Sequence, residues 1–308
     1  MVDDGSTDAI PARVEALGAK VLRLAQNSGP ACARNRGAAK ARGEILFFVD
    51  ADVAIAPGAV RRVVSTLEAN PDLDAVFGSY DEHPRARGIV SRYRNLLHHY
   101  THQNGEPAAS TFWAACGAVR RSVFVEIGGF DANRYRYPSV EDIELGYRLR
   151  RAGHRILLDK GLRATHLKKW TLRSMIHTDV MRRAIPWARL ILESGHLPND
   201  LNLRHSQRLS VLTIGLAFIC LTASIVQPEL MVAAGAFIVT ALVLNRSWFS
   251  FLKRRKGTAF AAACVPLHLL YLFYSGISYA LVWIGFRAKH AFGTGPEPPK
   301  RVSAGASL

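Results

Sequence analysis

The stretch Ile45-Leu46-Phe47-Phe48-Val49-Asp50-Ala51-Asp52 decides how the rest of the chain is read. Five consecutive apolar residues after Gly43 have the length and character of a buried strand. The run delivers two carboxylates, one residue apart, to the strand end. In an open α/β sheet, ligands bind beyond the carboxyl ends of the strands. Two carboxylates so placed can hold a hard divalent cation that also grips a diphosphate.

Working outward, strands and helices alternate on both sides of this segment. Upstream, Ser6, Thr7 and Asp8 are placed to cap a helix reaching about Leu17, and residues 20–24 read as a short strand. Asn27-Ser28-Gly29-Pro30 turns into a helix that carries Arg34, Asn35, Arg36 and Lys40 and stops near Gly43. Downstream, Pro57 opens another helix, and residues 75–80 form the next strand. A helix over 88–104 carries His98, His99 and His102, either as a metal cluster or, more simply, as a polar face. Residues 112–119 are strand-like, and a short strand over 155–158 precedes Thr165-His166. This alternation predicts an α/β fold with a mainly parallel sheet and helices on both faces.

The chain has 308 residues and a net charge of +16. Such a balance suits nucleic acid, anionic lipid or phosphorylated substrates. No zinc-finger spacing or basic heptad region favours nucleic acid, and the four cysteines form no CxxC pair. Three apolar runs, 209–226, 230–244 and 259–286, make a membrane the better partner. Lys253-Arg254-Arg255-Lys256 lies between the second and third runs, which places that loop and the N-terminal domain in the cytoplasm. The third run reads as a tilted span or a re-entrant pair. Residues 172–191 have helical apolar spacing with interleaved arginines, as an interfacial helix or one packed on the sheet would. The expected organisation is a catalytic domain over 1–170, an amphipathic interfacial helix and linker over 171–208, two or three spans within 209–286, and a disordered tail over 287–308.

Five segments then occur in order: Val2-Asp3-Asp4-Gly5-Ser6-Thr7-Asp8, Asn27-x-Gly29-Pro30-Ala31-x-Ala33-Arg34-Asn35-x-Gly37, Phe48-Val49-Asp50-Ala51-Asp52, Gly128-Gly129-Phe130-Asp131, and Glu141-Asp142-Ile143-Glu144-Leu145-Gly146-x-Arg148-Leu149. Together they resemble the family-two glycosyltransferases, inverting enzymes of GT-A fold. The resemblance covers residues 1 to about 170. It implies a nucleotide-sugar donor, a Mg²⁺ or Mn²⁺ ion, and a lipid or glycan acceptor at the cytoplasmic (inner) membrane.

The resemblance also implies roles. Asp4 would bind the base or ribose, or else serve as a turn residue. Arg34 and Asn35 would line the nucleotide pocket, or else lie on a solvated helix face. Asp52 would bind the metal, with Asp50 assisting through ribose or metal. Asp142 would be the general base on the acceptor hydroxyl. Its competing reading is a helix-capping acid, since Ser139-x-x-Asp142 has capping-box spacing. His166 would approach the metal or diphosphate, or else be structural.

Two departures matter. The family places a strand–helix unit and another strand before the first acidic loop, whereas only Met1 and Val2 stand there. The expectation is therefore an upstream start and an N-terminally incomplete sequence. No Gln-x-x-Arg-Trp segment of the processive synthases is found, which favours transfer of a single sugar. The rival readings are a non-catalytic binding or assembly subunit and a nucleotidyltransferase.

Overall fold

The computed structural model describes residues 1–291. They divide into two compact units, one of residues 1–87 with 95–169 and one of residues 88–94 with the chain from Trp170 onward.

The first unit is built in the order β1 (Val2–Asp3), α1 (Ile10–Ala16), β2 (Leu22–Arg23), α2 (Pro30–Lys40), β3 (Ile45–Val49), β4 (Val53–Ile55), α3 (Ala59–Ala69), β5 (Ala75–Tyr80), α4 (Ile89–Gln103, with its first residues in the second unit), β6 (Cys116–Arg120), α5 (Arg121–Glu126), α6 (Glu141–Arg151) and β7 (Ile156–His166). β1 and β2 form a parallel pair, and the other strands form a sheet of order β3-β6-β5-β7-β4. In that sheet only β5 and β7 are parallel neighbours. The other junctions are antiparallel, which corrects the expected mainly parallel sheet. The reason is topological. β3, β5 and β7 run the same way, as their intervening helices require, but β6 slots between β3 and β5 in the opposite sense. β4 closes the far edge in the opposite sense too.

The core sits where β5 is buried along its whole length. α3 follows the left-handed Gly58 and presents Ala59, Val63 and Leu67, four residues apart, to β5 and β7. Val63, Leu67, Val76 and Leu162 are almost wholly buried. Each such side chain contributes about 1.5–3 kcal/mol.

Other boundaries differ from the sequence reading. α1 starts two residues after Asp8, whose carboxylate accepts the Ile10 amide (3.0 Å) without occupying the cap position. β7 continues through His166, because its second half pairs with β4 through Val53↔His166. His99 and His102 are buried, with Nδ1 on the carbonyls of Tyr80 (2.7 Å) and Gly78 (2.9 Å). These histidines pin α4 to β5 and form neither a metal cluster nor a solvated face.

The second unit is helical. It contains α7 (Leu172–His177), a π-helix over Thr178–Ala184, α8 (Ile185–Ser194), α9 (His205–Ala223), α10 (Leu230–Leu244), α11 (Arg246–Lys256), α12 (Thr258–Ala263) and α13 (Val265–Ala291). Residues 172–194 are therefore not one continuous amphipathic α-helix. The π segment turns Asp179 inward, where Arg94 pairs with it (2.7 Å) and the Tyr274 hydroxyl donates to it (2.6 Å). A π segment is rare and shifts the register of the buried face. Two helical stretches, His205–Ala223 and Thr258–Ala291, are long and apolar enough to cross a membrane, and the bent pair α10–α11 would be a third if it forms one span. Of the expected tail, residues 287–291 belong to α13, and residues 292–308 lie outside the described residues.

Candidate active site

Asp50 leaves the end of β3 with its amide on the Ala115 carbonyl (3.2 Å). The chain turns at once, Val53 N–H donating to the Asp50 carbonyl (3.1 Å), and β4 begins. The Leu167 amide donates to the Asp52 carbonyl (2.9 Å), so the ends of this turn and of β7 are tied together. Asp52 Oδ2 lies 3.5 Å from His166 Nε2. The hydrogen bond to His166 holds the Asp52 carboxyl below its ordinary range, against partial burial and with help from Lys168. His166 is itself held flat against Tyr80, ring centroids 4.4 Å apart and planes 11° from parallel. Trp113 and His98 pack on Tyr80 in turn.

Arg34 joins the strand end to a helix. Its Nη2 donates to Asp50 Oδ1 (2.6 Å) and its Nη1 to Glu141 Oε1 (2.8 Å). Burial opposes the guanidinium charge, but Asp50 and Glu141 together raise its pKa. Glu141 is nearly fully buried, and its other oxygen accepts the Ser139 amide (2.8 Å). Asp142 follows at the start of α6, where acids also suit the helix dipole. One oxygen accepts the Ile143 amide (2.8 Å) and the other the Ala114 amide (3.2 Å). Ser139 does not cap α6; Val140 holds that position without a side-chain bond. The capping box that competed for Asp142 is therefore absent. Burial first, then the Glu141 charge, push the Asp142 carboxyl up to about 7, with Arg34 and the Ala114 amide opposing and the Asp50 charge adding.

A packing detail holds Asp142 in place. A Cβ on Gly146 would overlap the backbone of Thr111 and Phe112. Glycine there lets α6 rest directly on the segment whose Ala114 amide binds Asp142. Gly146→Ala is expected to force the two apart, costing about 1–3 kcal/mol as overpacking does, and to lower turnover more than donor affinity. Thermal unfolding and steady-state kinetics of this variant check both parts.

Two predicted pocket residues serve the scaffold. The Asp4 carboxylate accepts the amides of Ser28 and Gly29 (2.8 Å each), shaping the entry to α2. Asn35 gives both its amide atoms to the backbone of Phe130 (2.7 and 2.9 Å) and so anchors the Gly128-Gly129-Phe130 turn. The structure thus groups Asp50, Arg34, Glu141 and Asp142, and separately Asp52 with His166. Glu141 and Tyr80 are the members the sequence reading underrated. Tyr80 ends β5, and a strand end was the available signal.

Among the described residues no group of three or more His, Cys, Asp or Glu side chains is arranged to hold a metal. Asp52, 44% exposed, and the buried His166 beside it offer two donors. That set fits Mg²⁺ or Mn²⁺, which keep waters and complete their shell with substrate phosphates. Asp50 is taken up on one oxygen by Arg34.

The acidic strand end, Arg34 and the first acidic loop fall within a segment matched by one family model, Glycosyl transferase family 2, over residues 1–128, and Glu141 and Asp142 lie beyond it. That match covers about two fifths of the chain. The chain carries a GT-A-like α/β fold, followed by the apolar helices. Among curated relatives, the Succinoglycan biosynthesis protein ExoO of Rhizobium meliloti (strain 1021) is 38% identical over 72 residues, 22% of this chain and 21% of that protein. The Pre-mycofactocin glycosyltransferase of Mycobacterium tuberculosis (strain CDC 1551 / Oshkosh) is 27% identical over 188 residues, 57% of this chain and 38% of that protein. The chain thus spans less than two fifths of the length of these relatives. A solved structure, the mannosyltransferase PcManGT from Pyrobaculum calidifontis in complex with GDP-Man and Mn²⁺, aligns at 18% identity with a TM-score of 0.49. The alignment covers 95% of this chain and 77% of that one.

Proposed function

We propose that the protein is a membrane-anchored inverting glycosyltransferase. It moves one sugar from a nucleotide-sugar to a hydroxyl of a lipid or lipid-linked acceptor at the cytoplasmic face of the inner membrane. The observation that carries this reading is the Arg34 bridge, which sets the Asp142 helix start beside the acidic end of β3. Asp142 takes the proton of the acceptor hydroxyl as its oxygen bonds to the anomeric carbon. The bond from that carbon to the diphosphate oxygen breaks, and the electron pair leaves with the nucleoside diphosphate. Attack from the face opposite the leaving group inverts the centre. Asp50 faces the donor's ribose while Arg34 neutralises it, and Asp4 and Asn35 hold the loops that frame the donor. Asp52 with His166 would hold Mg²⁺ or Mn²⁺, which when bound neutralises charge on the departing diphosphate.

The apolar helices support a membrane-borne acceptor, since anchoring raises the effective concentration of enzyme and lipid for one another. The involvement of one relative in succinoglycan biosynthesis supports a cell-envelope glycan product. The test is a screen of UDP- and GDP-sugars with Mn²⁺ or Mg²⁺ and extracted membrane lipids. Release of nucleoside diphosphate, a one-sugar gain in lipid mass and arrest by chelator are expected. Pyrophosphate release, or no turnover of any donor, would overturn the reading.

A further inference from the structure

Helix α11 opens with Arg246 and closes with Lys253-Arg254-Arg255-Lys256. Arg246, Lys253, Arg254 and Arg255 are exposed, while Trp248 and Leu252 are buried. Arg255 also lies over the Phe251 ring. The side chains at the junction of α10 and α11 fix where this basic helix stands. Gln207, near the start of α9, donates to Asn245 Oδ1 (3.0 Å), and Asn245 donates to Ser210 Oγ (2.9 Å). The start of α9 and the end of α10 are therefore one end of a hairpin, and Gln227-Pro228-Glu229 is the other.

The charge divides accordingly. Glu229 is the single acidic residue between His205 and Ala291, and it sits on the turn. Arg204, Arg208, Arg246 and the basic run belong to the opposite end. Length points the same way. The 15 residues of α10 rise about 22 Å at ~1.5 Å each, short of a hydrocarbon core of roughly 30 Å. α11 departs from the α10 axis by 61°. As a straight continuation of the span it would carry Arg246 into the hydrocarbon and put the basic run roughly 35–39 Å from the start of α10, past the far edge of the core. Lying in the headgroup layer, α11 meets lipid phosphates with Arg246 and the basic run together.

We propose that α11 is a docking helix for anionic lipid headgroups at the basic end of the α9–α10 hairpin, and not the second half of a broken span. The proposal is independent of sugar transfer, because its readout is bound lipid. The full chain is reconstituted with equal amounts of dioleoylphosphatidylglycerol and dioleoylphosphatidylcholine, and the lipids it retains are counted by native mass spectrometry. Enrichment of the anionic lipid on the order of fivefold or more is expected. It should fall to near parity in K253Q/R254Q/K256Q and persist in E229Q. It should also collapse for the unsubstituted chain at high salt, which tests the idea even if the triple variant misfolds. Parity in the unsubstituted chain would overturn the proposal and point to an acidic protein surface as the occupant. Enrichment insensitive to both salt and the triple substitution would overturn it as well.

Discussion

Replacing Asp142 with Asn is expected to cut kcat roughly a thousandfold, within the ~10²–10⁴ range of a lost general base, while donor affinity changes little. Asn keeps the shape of the side chain and an oxygen that can accept the Ala114 amide, so the start of α6 stays in place. What disappears is the capacity to take a proton. The same variant should be more stable than the parent near neutral pH. The folded carboxyl is raised from 3.8 to about 7 by burial and by Glu141. A group with a raised folded pKa contributes stability that is present at acid pH and lost as the pH rises through about 7. Asn carries no such loss. Its melting temperature should exceed the parent's above that pH by a few degrees, and the advantage should shrink on acidification. A variant both slower and more stable is the pattern of a strained catalytic group. A variant that is slower and less stable would make Asp142 a structural acid.

Asp52→Ala is expected to lower transfer by about 10² or more and to raise the Mn²⁺ concentration required, since it deletes the carboxylate that faces His166. The fold should survive. The side chain is 44% exposed, and an ion pair so placed contributes about 1 kcal/mol or less. The linkage has the opposite sign to that of Asp142. His166 lowers the Asp52 carboxyl, so the small stabilisation is present above the ordinary carboxylate range and lost as the pH falls through the lowered value. Metal titrations of activity, paired with melting curves, separate the two effects. Asp52→Ala with unchanged metal dependence would move the cation elsewhere.

Much of the fold was legible because it is written in local pattern. The five-residue apolar run before Asp50 is β3, and the Pro30 turn opens α2 within its first residue. The buried stripe of α3 follows from its four-residue spacing. The mixed sheet was not legible, because nothing within Cys116–Arg120 states which neighbours it will slot between. β4 is three residues long, too short for any period to register.

The site divides in the same way. Asp50, Asp52 and Asp142 stood out as carboxylates at a strand end and at a helix start. The Arg34–Glu141 pair joins residues 107 positions apart, so no local spacing announces it. Asp4 and Asn35 carry scaffold bonds that their spacing did not announce, and for one cause. Both have the right chemistry for a nucleotide, but in the fold their polar atoms satisfy backbone amides and a carbonyl that would otherwise be left unpaired.

The central claim is that Asp142, held at the Arg34 bridge, accepts the acceptor's proton. The most direct measurement is the pH dependence of kcat/KM for sugar transfer at saturating metal. A base must be ionised to act, so the account predicts a rate that climbs with pH and reaches half its plateau near 7, a climb that Asp142→Asn abolishes. A rate that is flat through neutrality, or the same climb persisting in Asp142→Asn, would contradict it.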